Sequence, residues 1–136
     1  MTEFKATILV EPEPKGRPRG FINRKSGRVQ FYTPGKTVKT EAAIRAALVG
    51  KECFFEQGIP LYLEVTFYLS RPTSAPKRVT MPAKKPDIDN LMKNLTDALE
   101  KFVYANDSQI TTALIKKRFG QPPRIELKLG VDNVEP

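Results

Sequence analysis

Asp87, Asp89, Lys93 and Asp107 stand close together in a chain of 136 residues that has no histidine and one cysteine. Two carboxylates flanking Ile88, a lysine one helical turn further on and a third carboxylate soon after suit one chemistry. Hard oxygen ligands favour Mg²⁺ or Mn²⁺ over softer metals. An ammonium beside them would steady a phosphate. The missing histidine excludes Ser-His-Asp and Cys-His mechanisms, and zinc sites built from His and Cys within one chain. General acid–base work falls to Asp, Glu, Lys, Tyr or metal-bound water. Each piece also has a plainer reading. Asp87 or Asp89 fits an N-cap, Asp89 and Lys93 fit an i,i+4 surface pair, and Asn106-Asp107 fits turn chemistry.

The element that positions these residues is a helix. Pro86 biases Lys85 away from helical geometry, so the helix starts after it. Apolar residues at Ile88, Leu91, Leu95, Ala98, Leu99 and Phe102 follow helical spacing and predict one buried face from about Ile88 to Val103. Asp89, Lys93, Thr96 and Glu100 lie opposite. Asp107 follows on a loop, ahead of a strand over about Gln109–Phe119, which is joined through Gly120-Gln-Pro-Pro123 to a strand over Ile125–Leu129.

Upstream, Phe4–Val10 reads as a strand. Glu11–Arg19 carries three prolines and a glycine and is extended. Gly20–Asn23 and Arg28–Tyr32 read as hairpin arms around Lys25-Ser-Gly27. Thr33-Pro34 opens a first helix, moderately apolar through Val38, Ala42, Ile44, Ala46, Leu48 and Val49, running to about Glu52. Leu61–Leu69 is the clearest strand, dense in β-branched and aromatic residues, and belongs at the centre of the sheet. Residues 70–86 form a proline-rich loop, long enough to suggest function. The expected architecture is α+β: a single domain over residues 1–136, with a small mixed sheet packed against two main helices.

The net charge is +8, and it is clustered. Lys15, Arg17, Arg19, Arg24, Lys25, Arg28, Lys36 and Lys39 occur in residues 14–40 without an acid, and Arg71, Lys77, Arg78, Lys84 and Lys85 in residues 71–86 likewise. Such segments attract a polyanion. Lys15, Arg17, Arg19, Lys36 and Lys85 are the candidate DNA contacts; Lys36 gains from a helix N-terminus, where backbone N–H groups favour anions. No apolar run is long enough to span a bilayer, and the N-terminus lacks a secretory signal pattern. A cytoplasmic protein without a membrane partner fits.

Pro86-Asp-Ile-Asp-Asn-Leu-Met-Lys93, Asp97-Ala-Leu99 and Asn106-Asp-Ser-Gln-Ile110 together resemble the signature of RusA-like Holliday-junction resolvases. Pro14-Lys-Gly-Arg-Pro-Arg19 and Tyr32-Thr-Pro34 are similar to that family's N-terminal motif. The resemblance runs from about residue 7 to residue 129. It implies a RusA-like fold and a small homodimeric endonuclease, often prophage-encoded. Such an enzyme uses Mg²⁺ to nick four-way DNA junctions in pairs during recombination and repair. It further implies Asp87, Asp89 and Asp107 as metal-binding catalytic carboxylates and Lys93 as the catalytic lysine. Many members carry Asp-Asp where this chain has Asn106-Asp107. The rival readings are a non-catalytic DNA- or RNA-binding protein using the basic N-terminal segment, and a nuclease for flaps or forks. Phe54, Phe55, Ile59 and Leu61–Leu69 offer apolar surface for a dimer or, equally, for the core.

Overall fold

The computed structural model describes residues 3–14, 19–32, 35–50 and 54–133, without the side chains of Arg19, Tyr32, Lys36 and Thr37. Leu61–Leu69, here β4, alternates core-facing Leu61, Leu63, Val65, Phe67 and Leu69 with Tyr62, Glu64, Thr66 and Tyr68. This period of two puts an apolar row on one face of the sheet and a polar row on the other. The sheet has four strands in the order β1-β6-β4-β5, with β1 at Glu3–Ile8, β5 at Ile110–Phe119 and β6 at Arg124–Val131. β4 is interior, as its composition predicts. It pairs antiparallel with β6 and parallel with β5, so the sheet is mixed. The last two strands are sequence neighbours but not sheet neighbours, because β4 lies between them.

Helix α2 spans Ile88–Leu99 and links the parallel strands β4 and β5. Leu91, Leu95, Ala98 and Leu99 are buried as the spacing predicts; full burial of each leucine contributes about 2 kcal/mol. The helix ends earlier than the expected Val103. Glu100 is extended, Lys101 has a φ of 69°, and the N–H groups of Phe102 and Val103 both turn back onto the Leu99 carbonyl. That reversal exposes Phe102 and buries Val103 and Tyr104 in its place. Ile88 is also exposed rather than buried.

Helix α1 spans Gly35–Leu48. Thr33-Pro34 and Glu52 lie outside the described residues. Its buried positions are Thr40, Ile44 and Leu48, while Val38 and Val49 face solvent, so the apolar stripe differs from the expected one. Both helices contribute to one core with Phe4, Ile8, Phe55 and Leu61, Leu63, Val65 and Phe67 of β4. Strands β2 (Arg19–Ile22) and β3 (Val29–Tyr32) form the expected hairpin as a separate two-stranded sheet. Its turn is set by Asn23, whose side chain accepts the Lys25 N–H at 2.9 Å, and by Gly27 at φ 71°.

On the polar face of the sheet, Tyr62 crosses above β6 at Gly130 and donates to Glu3 on β1 at 2.6 Å. A Cβ at position 130 would meet the Tyr62 hydroxyl at 2.7 Å. The hydrogen bond holds the Glu3 carboxyl below its usual range and pushes Tyr62 up to about 12.

Candidate active site at the entrance of α2

Asp87 is the N-cap of α2, with φ −75° and ψ 146°, yet its side chain makes no capping hydrogen bond. Asp89 lies in the first turn and Lys93 one turn beyond; all three side chains are exposed. Among the described residues no ion pair joins Asp89 to Lys93, so the surface-pair reading is not realised. The helix therefore presents two carboxylates and an ammonium to solvent from one end. Negative charge there is favoured by the helix N-terminus.

Two contacts fix this end against the rest of the fold. Lys117 on β5 donates through Nζ to the carbonyls of Lys84 (2.7 Å) and Pro86 (2.9 Å), tying the start of α2 to the C-terminal part of β5. Asn94, fully buried on α2, donates through Nδ2 to the Glu13 carbonyl at 3.0 Å. This brings the N-terminal proline-rich segment alongside α2, and Asn94 Oδ1 has no partner among the described residues. A cleft of about 840 Å³ results, with Asp87, Asn90, Lys84 and Lys85 on one side and Glu13 and Pro14 on the other.

The basic segments divide into cations that face out and cations used internally. Lys84 and Lys85 are exposed at the cleft. Arg71 instead donates to the carbonyls of Ala75, Pro76 and Val79, folding the loop around its guanidinium. Lys15 and Arg17 lie outside the described residues. The backbone places Arg19 at the start of β2 and Lys36 in the first turn of α1.

Asp107 opens a 3₁₀ turn, Asp107–Gln109, at the other end of β5. The turn is held by a complete capping box. Asn106 Oδ1 accepts the Ser108 N–H at 2.8 Å, and Gln109 Oε1 accepts the Asn106 N–H at 3.0 Å. Gln109, buried, also donates to the carbonyls of Glu56 and Ile59. Beside it, Tyr104 donates to the Thr96 carbonyl at 3.0 Å. Burial raises the Tyr104 pKa, and the negative charges of Asp107, Glu100 and Asp97 raise it further.

Asp107 is thus near the C-terminal half of α2, and Asp87 and Asp89 are at its N-terminus. Nine helical steps from Asp87 to Thr96 cover about 14 Å, and the strand from Ile110 to Lys117 covers about 23 Å. Among the described residues no three carboxylates come close enough to share a metal ion. The donor chemistry of Asp87 and Asp89 suits Mg²⁺, which commonly takes only one or two protein carboxylates. Within one chain the third carboxylate is not brought to them. Sequence reading missed Lys117, Asn94 and Gln109; only the last had a local signal, the Asn-x-x-Gln spacing of a capping box.

The family described as endodeoxyribonuclease RusA matches residues 10–130. The chain is 32% identical over 138 residues to an uncharacterized protein, YqaN, of Bacillus subtilis strain 168, covering 93% of this chain and 94% of the relative. It is 33% identical over 132 residues to the crossover junction endodeoxyribonuclease rusA of Lactococcus phage r1t, covering 93% and 97%. The Asp-x-Asp helix entrance, the lysine one turn beyond and the capped Asp107 turn all fall inside the matched span, and the chain belongs to the RusA endodeoxyribonuclease family.

Proposed function

We propose that this chain is a Mg²⁺-dependent endonuclease that resolves four-way DNA junctions by paired nicks in recombination and repair, acting as a homodimer in the cytoplasm. The observation that carries the reading is the entrance of α2. There an aspartate at the N-cap forgoes capping and, with Asp89 and Lys93, faces outward beside exposed lysines. Its support is family membership and the name of the phage relative.

Asp87 and Asp89 would hold the metal ion. When bound, Mg²⁺ supplies charge neutralisation at the phosphate and lowers the pKa of a coordinated water. Lys93 brings an ammonium to a non-bridging phosphate oxygen, where it counts most as charge builds up in the transition state. Lys84 and Lys85 flank the cleft and hold a strand by its phosphates, with Lys15, Arg17, Arg19 and Lys36 extending the contact. The sheet and core do no chemistry; they fix the direction of α2.

The test compares end-labelled four-way, forked and linear duplex DNA, each with Mg²⁺ and with chelator, for the wild type and Asp89→Asn. Metal-dependent nicks at matching positions on opposing strands of the four-way junction, absent in the variant, are the expected result. Preferential cutting of forks would change the substrate. Binding without cutting in Mg²⁺ or Mn²⁺ would make the chain a DNA-binding protein only.

A further inference from the structure

The chemistry above uses only Lys84 and Lys85 of the loop of residues 70–86, yet the whole loop is built as a wall. Arg71 donates to the carbonyls of Ala75, Pro76 and Val79, and its guanidinium lies over the Phe119 ring at 5.6 Å. Within the loop the Ala75 N–H reaches the Pro72 carbonyl at 3.0 Å, and the Val79 N–H reaches the Pro76 carbonyl at 2.9 Å. The facing segment, residues 11–14, is tied down as well. The Glu11 carboxylate accepts the Ser70 N–H at 3.2 Å and the Ser70 hydroxyl at 2.9 Å, and the Glu13 carbonyl accepts Asn94 Nδ2. The cleft of about 840 Å³ that both segments line is therefore preformed, and it reaches Asp87 and Asn90 at the start of α2.

We infer, on the nuclease reading above, that this cleft receives an unstacked nucleobase of the strand whose phosphate is held at Asp87 and Asp89, and that the enzyme favours a branch point over linear duplex in this way. The volume lies within the roughly 300–1,000 Å³ of small-ligand pockets. The lining is mainly apolar, with Pro72, Pro76, Val79, Met81 and Phe119 in it, and Met81 is half exposed. A base taken out of its stack is held by packing between apolar and aromatic side chains of this kind.

Charge sets the direction in which a nucleotide enters. Lys84 and Lys85 line the cleft with Asp87 and attract phosphate, whereas Glu11 and Glu13 line the facing segment and repel it. The sugar and phosphate therefore stay beside α2. The uncharged base points toward the carboxylates, which are acceptors for its N–H groups.

A linear duplex must break its stack to offer a base. Where arms meet, the continuous stack is interrupted, and extrusion costs least there. Phosphate contacts hold DNA without regard to base or branch. A base site beside the proposed catalytic entrance adds what they lack: it stabilises the complex most where the strand can release a base.

The test uses wild-type protein in chelator, where no cutting intervenes, and four-way junctions carrying 2-aminopurine at each branch-point nucleotide in turn. One position is expected to brighten on binding, as the fluorophore leaves its stacked neighbours, and the same sequence in linear duplex is expected to stay dark. An abasic residue at the brightening position is expected to weaken junction binding by about tenfold, the scale of one base stacked on a protein side chain. Ala83→Trp fills the cleft from an exposed position and keeps the bond from its N–H to the Met81 carbonyl. It is expected to weaken binding of the intact junction equally and to bind the abasic junction as the wild type does. Ser74→Trp, also exposed at the cleft, is expected to do the same and serves if the first variant does not fold. Darkness at every position, equal wild-type affinity for intact and abasic junctions, or filled variants that bind the intact junction normally each overturn the inference and leave the cleft to a protein segment. Equal brightening in linear duplex overturns the link to branching. Junction nicking by the wild type in Mg²⁺ beside any of these results keeps the nuclease reading. A protein that brightens one position but never nicks in Mg²⁺ or Mn²⁺ would remove the nuclease reading and leave the base site standing.

Discussion

The two helical starts that carry the aspartates are built in opposite ways. At the 3₁₀ turn, Asn106 and Gln109 satisfy each other's backbone N–H groups and leave Asp107 free of capping duty. At α2, Asp87 occupies the cap position with extended geometry and makes no cap bond. Aspartate is among the best N-caps, so its outward carboxylate is a local cost, one that the proposed metal-binding role would explain. The contrast also explains the departure at Asn106. Its amide oxygen does the work of a cap, which aspartate would do equally well, so the substitution falls on a structural acceptor and leaves Asp107 in place.

The sharpest break of this comparison comes from removing charge at each start. Asp87→Asn and Asp89→Asn are expected to lower single-turnover nicking by at least ~10³-fold, about 4 kcal/mol of transition-state stabilisation. Their urea midpoints should stay within the equivalent of about 0.5 kcal/mol, because no capping bond is lost. An Asp87→Asn variant that is destabilised but cuts normally would make Asp87 a cap after all. Next in size, Lys93→Ala is expected to slow the chemical step by roughly 10²-fold at saturating DNA, with junction affinity little changed.

At the other start the loss should appear as stability. Asn106→Ala is expected to cost about 1 kcal/mol as a lost cap. Gln109→Ala, which removes a buried amide bonded to the carbonyls of Glu56 and Ile59, should cost about 2–3 kcal/mol in a urea melt. Smaller still is the effect on salt dependence. With ~6 phosphate contacts the log–log slope of affinity against salt is about −5, and Lys84→Ala with Lys85→Ala should flatten it by about 2. Arg71→Ala should leave the slope unchanged, because its guanidinium is engaged by carbonyls of its own loop.

The smallest effect is a pH limb on the polar face of the sheet. Glu3 is depressed, so its stabilising contribution is present above the ordinary carboxylate range and fades as pH falls through its folded value. Tyr62 is raised, so its contribution is present below the ordinary phenol value and is lost as pH rises through about 12. Tyr62→Phe should flatten both limbs of a stability-versus-pH profile, and the phenolate absorbance assigned to Tyr62 by this variant should titrate near 12.

What was legible in the sequence was local. β4, the hairpin and the middle of the buried face of α2 (Leu91, Leu95, Ala98 and Leu99, though not Ile88 or Phe102) follow from residue type and period, and the structure bears them out. The end of α2 was not legible, because the break falls at an extended Glu100 followed by a left-handed Lys101, residues with no turn signature. The stripe of α1 was misread because its apolar and polar residues are almost evenly spread around the helix, so spacing could not choose a face. The separation of Asp107 from Asp87 was hidden for a different reason. A helix connecting parallel strands carries the chain the full length of the sheet, so residues that look adjacent in a motif finish at opposite ends of it.

Tyr62, Gly130 and Glu3 sit on three different strands, and their packing ties them together. A side chain at position 130 displaces the tyrosine ring, and without the ring Glu3 loses its strongest partner. Descendants of this chain should therefore change the three together. A lineage that acquires bulk at position 130 should be found to have given up the aromatic at 62, leaving position 3 held only by the surface charges of Lys5 and Lys128.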